Sequence, residues 1–391
     1  MNHIQKLIDQ YDSSFFHYDL DAFESHLKSI QQTLHPEIKI FYACKANPLS
    51  KILSVLNENG FGVDVASLGE LQQAKSAGVS RLIATGPSKP FSYLNRLLGA
   101  GVTTIICESP NQLKDLNDVA QEHRLKPEVL LRVQLDWEGS LKSVLGGSSI
   151  TPFGIGVEDW KKVNLSEYTH LDIVGLHCFQ WGNILDLSQL SGIWESTIGQ
   201  CVNIAREMKL ELKVLDLGGG LGISYQDERE LSFPAVHEML LGFKQKYDLK
   251  EIWLELGRYS IGKFGSYFTK ITDIKTVRGK HLIVTEGGIN HIARPTLVNE
   301  AFPCHALSLP MVNLQKFTIH GPLCTALDSL GEHDLPKDLK VGDWLEFKKT
   351  GAYGFTESMP FFLGHNLAGE AFSYRGTTQM IRVPKPADWM V

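Results

Sequence analysis

Between residues 38 and 256, short apolar β-rich runs alternate eight times with stretches of helical spacing, and this alternation constrains the fold more than any other feature. The runs are IKIFYAC (38–44), FGVDV (61–65), RLIATG (81–86), TTIICE (103–108), EVLLRVQ (128–134), DIVGLHC (172–178), LKVLDLG (212–218) and EIWLEL (251–256). Parallel neighbours need a crossover connection, so a strand–helix repeat leads to a parallel sheet flanked by helices. Eight repeats close a (β/α)8 barrel, and an α/β TIM barrel is the expected architecture. A doubly wound open sheet is the alternative topology. The intervening stretches, such as SKILSVLNENG, ASLGELQQAKSAG and SPNQLKDLNDVAQEH, are amphipathic at helical spacing and bounded by Gly, Pro or Ser.

After about residue 264 the pattern changes to extended segments with turn residues, among them YFTKITDIKTV, HLIVTEGG, QKFTIHGPL and DWLEFKKTGAYG. The expected organisation is a barrel over 25–263 and a β-rich, sandwich- or barrel-like domain built from 1–24 and 264–391. The strand-like HYDL (17–20) precedes the first barrel run and is a candidate to pair with that later sheet. A chain of 391 residues holds a barrel of roughly 250 residues and a second domain of roughly 100–150. The 137–171 stretch is the longest gap between runs and carries a Gly/Ser-rich patch, which reads as a lid or an insertion.

A net charge of −6 argues against a nucleic-acid partner and for small-molecule ligands. The start MNHIQKLIDQYDSSFF has no apolar core of signal-peptide length, and no later run approaches 18 uninterrupted apolar residues, so a cytosolic protein without a membrane contact is expected. Cys44, Cys107, Cys178, Cys201, Cys304 and Cys324 are far apart with no CxxC pair, which reads as reduced thiols without disulfides or a metal site.

Barrels place their chemistry at the C-terminal ends of the strands. The polar residues there are Lys45, Asp64 with Ser67, Thr85, Glu108, Arg132, His177, the glycines Gly218, Gly219, Gly220 and Gly222, and finally Glu255 with Arg258. Lys45 closes the apolar first run, where burial would lower an amine's pKa and make it nucleophilic; a lone strand-end lysine is more commonly solvated. LDLGGGLG offers side-chain-free backbone for a phosphate on strand seven, the usual barrel position, whereas a tight turn would need fewer glycines. Arg258 is spaced to reach the same phosphate. A buried Glu255 beside it requires a cationic partner, such as a protonated pyridine nitrogen.

Together these motifs resemble the alanine-racemase-type (fold type III) barrel family of pyridoxal-phosphate (PLP) enzymes, in its decarboxylase branch with the diaminopimelate and ornithine/arginine decarboxylases. The resemblance runs nearly end to end. FYACKANP is similar to the family's Schiff-base motif and implies Lys45 as the PLP lysine; GFGVDVASLGEL implies Asp64, Ser67 and Glu70 near the cofactor or holding its surroundings; LLRVQLD implies Arg132 near its ring. LDLGGGLG and ELGRY imply Gly218–Gly220, Gly257 and Arg258 at the phosphate and Glu255 at the pyridine nitrogen, although Leu256 stands where proline is usual. EGGINHIARP implies Arg294 as a substrate ligand, GPLCTALDSL brings Cys324 into the partner subunit's active site with Thr325 and Asp328 on the substrate side, and GAYG carries Tyr353 facing the cofactor. The resemblance thus implies a homodimer with shared active sites and an amino-acid α-decarboxylase, with Cys324 returning a proton to the α-carbon. A racemase or epimerase is the alternative, against which Glu255 and Cys324 weigh. A catalytically inactive PLP carrier is disfavoured because Lys45, Glu255 and Cys324 are all present.

Three departures bear on the substrate. GLHCFQWGN has Phe179 where the family stacks a histidine on the ring, so either Phe179 or His177 is the stacking candidate. Thr325 follows Cys324 where diamino-acid enzymes carry an acid, and Val298 replaces an expected tyrosine. The expected substrate is therefore an amino acid that is modified, conjugated or carrier-tethered, as in siderophore or other specialised metabolism. A free basic amino acid such as diaminopimelate is the alternative.

Overall fold

The structure is a computed structural model that describes residues 2–137, 149–226 and 228–386. Most of the 137–171 gap is described, including the end of its Gly/Ser-rich patch, but 138–148, which carries the start of that patch, lies outside the described residues. The chain divides into two compact units: His26–Ser224 with Glu228–Ser260, and Met1–Ser25 with Tyr225–Asp227 and Ile261–Val391.

The first unit is a closed parallel barrel. Its eight strands are Ile38–Ala43, Gly62–Val65, Leu82–Ala84, Thr104–Cys107, Glu128–Gln134, Asp172–His177, Val214–Asp216 and Glu251–Glu255. Consecutive strands pair in parallel, and the eighth pairs with the first (Ile252↔Ile38, Glu255↔Phe41), which closes the sheet and excludes the open doubly wound alternative. Closure satisfies the edge backbone groups and aims all eight C-terminal ends at one mouth. Phe41, Ile83, Ile106, Leu130, Val174, Val214 and Trp253, one from each of seven strands, form a single apolar cluster that fills the interior. Helices follow the strands. Ser67 caps one of them, accepting the Glu70 N–H at 3.2 Å, while Glu70 Oε2 accepts the Ala66 N–H at 2.7 Å. That reciprocal cap fixes the turn after strand two and gives Ser67 and Glu70 a structural task.

Strand six carries a bulge. Val129 pairs with Ile173 and Leu130 with Gly175, leaving Val174 as the extra residue. Val174 faces the interior cluster, and the slip of one residue turns His177 inward as well, where unbroken alternation from Val174 would have turned it out.

The second unit is β-rich, as expected. Its sheet runs in the order Ser329–Pro336, Leu314–His320, Lys280–Thr285, Gly265–Val277, Phe15–Asp19, Gly369–Tyr374, Thr377–Arg382, with Trp344–Lys348 and Cys304–Ala306 branching from Gly265–Val277. Phe15–Asp19 pairs antiparallel with Gly265–Val277 and parallel with Gly369–Tyr374. Ahead of it, helix Asn2–Tyr11 buries Ile4, Leu7 and Ile8 against Phe15, Phe268 and Trp344. Among the described residues no helix is long and apolar enough to cross a membrane.

Gly175 sits where the bulged strand approaches strand seven: a Cβ there would lie 1.8 Å from the Val214 carbonyl oxygen. Gly175→Ala is therefore expected to destabilise the barrel by about 3 kcal/mol, because backbone rather than a flexible side chain must yield. Urea unfolding of the cofactor-free protein measures this.

Candidate active site

Three strands bring buried carboxylates to the mouth: Asp64 from strand two, Asp216 from strand seven and Glu255 from strand eight. His177 Nε2 lies 3.2 Å from Glu255 Oε1, and single donor atoms of His177, Asp216 and Glu255 fall within 4.8 Å of one another. Few of these atoms are satisfied by the protein. Both His177 nitrogens, Asp216 Oδ2 and Glu255 Oε1 are buried without a hydrogen bond of good geometry. Asp216 Oδ1 accepts the Gly218 N–H at 2.8 Å, and the Glu255 N–H donates to the Gly218 carbonyl at 2.7 Å, which locks the glycine loop to strand eight.

The electrostatics follow from this crowding. Burial first, and then the charge of Glu255, push Asp64 up to about 7, against the opposing pull of Lys45 and of Thr85, whose hydroxyl donates to Asp64 Oδ1 at 2.6 Å. Burial and Glu255 also hold Asp216 well above the carboxylate range. Glu255 goes the other way: burial works to raise it, but the charges of His177, Lys45 and Arg132 outweigh that and hold it below its ordinary value. Glu255 is thus the carboxylate that stays ionised.

Lys45 lies in the turn Cys44–Ala46 that ends strand one, and its charge acts on Asp64, Glu70, Asp216 and Glu255 alike. It is exposed, not buried as expected. Gly257 lets the end of strand eight approach this turn, since a Cβ there would lie 2.9 Å from that of Ala46. Arg132 is buried and donates to Glu108 Oε1 at 2.9 Å, with its guanidinium over the Phe153 ring. Glu108 in turn accepts N–H groups from Gly86 and Gly154.

His177 and Phe179 part company. His177 faces Glu255, whereas the Phe179 ring packs on the glycine loop, where a Cβ on Gly218 would lie 2.4 Å from it. Gly218 and Gly220 have φ of +62° and +114°, values that favour glycine. Among the described residues the Gly219 and Gly220 N–H groups have no hydrogen-bond partner. Arg258 opens the short helix that follows Glu255.

The second unit carries the other expected residues. Arg294 is buried, donates from Nη1 to Glu357 Oε2 at 3.1 Å and lies over the Tyr353 ring at 5.3 Å. All six cysteines are free; burial pushes Cys107 and Cys178 up to about 12, while Cys324 is exposed, with Thr325 half-buried beside it. Asp328 requires correction. It is 1% exposed, and its two oxygens accept the Ile289 N–H at 2.8 Å and the Leu323 N–H at 2.7 Å, so it is spent on holding the cysteine loop and is not offered to a substrate. Sequence reasoning passed over Asp216, buried Lys89, which donates to the Gly86 carbonyl, and Glu357. Only Asp216 had a visible signal, as the polar residue two positions before the glycines.

PLP fits what the barrel mouth presents. A buried Glu255 held below its ordinary pKa, with hydrogen-bond capacity left over, suits a protonated ring nitrogen; a strand-end lysine suits its aldehyde; free N–H groups on a side-chain-free loop suit its phosphate. The fold and this mouth define a barrel-type PLP enzyme. Residues 20–262 match the family described as pyridoxal-dependent decarboxylase, pyridoxal binding domain, and the chain belongs to that family. It is a PLP-dependent amino-acid decarboxylase. Among its relatives, the L-glutamyl-[BtrI acyl-carrier protein] decarboxylase of Niallia circulans is 27% identical over 99% of this chain and 95% of that one. The 2-[(L-alanin-3-ylcarbamoyl)methyl]-2-hydroxybutanedioate decarboxylase of Staphylococcus aureus is 27% identical over 89% and 91%. In fold, the chain is similar to diaminopimelate decarboxylase from Helicobacter pylori, with a TM-score of 0.89 at 22% identity, covering 99% of this chain and 98% of that one.

Because folding raises Asp64 from its ordinary 3.8 to about 7, the folded state holds that proton more tightly than the unfolded state. The resulting stabilisation is complete below about pH 4 and is lost as the pH rises to about 7. Urea midpoints of the cofactor-free protein are expected to fall across that window, and Asp64→Asn to flatten the fall.

Proposed function

We propose that the substrate is an amino acid whose far end is conjugated to a larger group or tethered to a carrier protein, in siderophore or other specialised metabolism, and that the enzyme works as a cytosolic homodimer. The observation that carries the reading is Thr325, an uncharged residue directly after Cys324, where a diamino acid's distal ammonium would need a carboxylate. Its hydroxyl is also engaged, accepting the Leu327 N–H at 3.2 Å. The substrates for which two relatives are named support it, one being carried on an acyl-carrier protein and the other amide-linked to a hydroxy acid.

PLP, when bound, supplies an electron sink for the bond that breaks as CO₂ leaves. The protein's residues do the rest. Lys45, at the end of strand one, is the residue that would hold the cofactor through its side-chain amine. Glu255 would hold a proton on the ring nitrogen, and His177 beside it lowers the Glu255 pKa. Gly219, Gly220 and Arg258 would hold the phosphate, and Arg132 and Asp64 would contribute to binding the rest of the cofactor. Phe179 presses on Gly218 and fixes the loop. Arg294 meets the substrate's far end. Cys324, the exposed thiol, returns a proton to the α-carbon, for which a thiol is well matched near neutral pH.

Purified enzyme is expected to show the visible absorbance of bound PLP, which Lys45→Ala abolishes, and to release CO₂ from citryl-conjugated or carrier-tethered amino acids in preference to free lysine, ornithine and diaminopimelate. Preference for a free diamino acid would sink the substrate reading. Cys324→Ala is expected to keep the absorbance and lose about 10²-fold or more in kcat. An unchanged rate would remove Cys324 from the chemistry.

A further inference from the structure

The Arg294 guanidinium is held in an unusual state for a residue that meets a substrate. Its side chain is 8% exposed, Nη1 is committed to Glu357 at 3.1 Å and one face is covered by Tyr353, itself in the left-handed region at φ +55°. The guanidinium is a rigid fork with donors on two sides. Its Nε–H is buried and has no acceptor among the described residues, although a buried donor left unsatisfied is costly. A vacant donor on a buried cation points to a ligand acceptor, and Glu357 decides what kind. The guanidinium charge is already balanced by the Glu357 carboxylate, which reaches it from a partly exposed position.

We infer that Glu357 is a specificity-determining residue: by neutralising Arg294 it makes this subsite select an uncharged carbonyl, that of an amide or thioester, over a free carboxylate. A neutral carbonyl satisfies the Nε–H and brings no second negative charge beside Glu357. A substrate carboxylate would share one guanidinium with the Glu357 carboxylate, and two like charges on one cation disfavour each other's ionised form. Discrimination then comes from a repulsive element built into the protein as well as from an attractive one. The inference rests on the proposal that Arg294 meets the far end of the substrate. It names the linkage carbonyl of a conjugated or tethered amino acid as the group recognised.

The test is binding of matched amines to the PLP-loaded enzyme: 4-aminobutyramide against 4-aminobutyrate, with their three- and five-carbon homologues, followed by calorimetry and by the change in cofactor absorbance. The wild-type enzyme is expected to bind the amide about tenfold more tightly than the acid in at least one pair, and Glu357→Gln to abolish or invert that preference by tightening the acid about tenfold. Glu357→Asp should retain the preference. Glu357→Ala, at a partly exposed position, provides a second neutral variant. A wild-type enzyme that prefers the acid, or binds no amide at all, overturns the inference. So does a Glu357→Gln ratio within twofold of wild type while Arg294→Gln changes it. If Arg294→Gln leaves every affinity unchanged, it is the reading of Arg294 as a substrate residue that fails.

Discussion

Four buried carboxylates converge on one barrel mouth, Glu108 paired with Arg132 and three others, and the rest of the catalytic half is arranged around the difficulty of keeping them there. Asp64, Asp216 and Glu255 come from three different strands and none reaches bulk water. In so poorly solvated a place not all can be ionised without cations close by. Lys45 and Arg132 supply positive charge, His177 lies against Glu255, and the effect is distributed unevenly. Asp64 and Asp216 are pushed toward their protonated forms, while Glu255 alone keeps its charge through His177. Arg132 is itself tempered by Glu108. The result is one directed negative charge under a glycine loop, an arrangement a cationic ring completes.

The β-rich unit solves a different problem, that of presenting an exposed thiol on a loop that does not wander. Asp328 does this from the inside, with two charge-assisted hydrogen bonds that span from Leu323 to Ile289. Gly288 and Gly321 come so close to its carboxylate that a Cβ on either would fall within 2.6 Å of an oxygen. Cys324 and Thr325 are left on the outer side of a loop whose base is fixed. An acid read from sequence as a substrate ligand is here the reason its neighbours are available.

The barrel was legible because each strand wrote itself as an apolar run ended by a polar residue, and the eight runs coincide with the eight strands. Lys45, the three glycines and Glu255 were legible for the same reason. What escaped was whatever depended on a break in regularity or on a distant partner. Period-two alternation says nothing of the bulge at Val174 that turns His177 inward. Ile4, Leu7, Ile8 and Tyr11 follow helical spacing, yet the segment was read only for its lack of a long apolar core, and helix Asn2–Tyr11 went unnoticed. Asp328 and Glu357 are acids whose meaning is set by groups 39 and 63 positions away, Ile289 and Arg294. No local pattern records them.

Strand Phe15–Asp19 has partners separated from it by most of the chain, at Gly265–Val277 and Gly369–Tyr374. On a ribosome the barrel segment, His26 onward to Ser260, is complete while the first strand still lacks both neighbours. An apolar stretch made early and paired last must stay unengaged throughout synthesis, with its ladder groups open to other nascent chains. The order in which the chain is made therefore leaves its earliest strand open to misassembly, and gives the segment from Gly265 to Tyr374 the task of retiring that hazard.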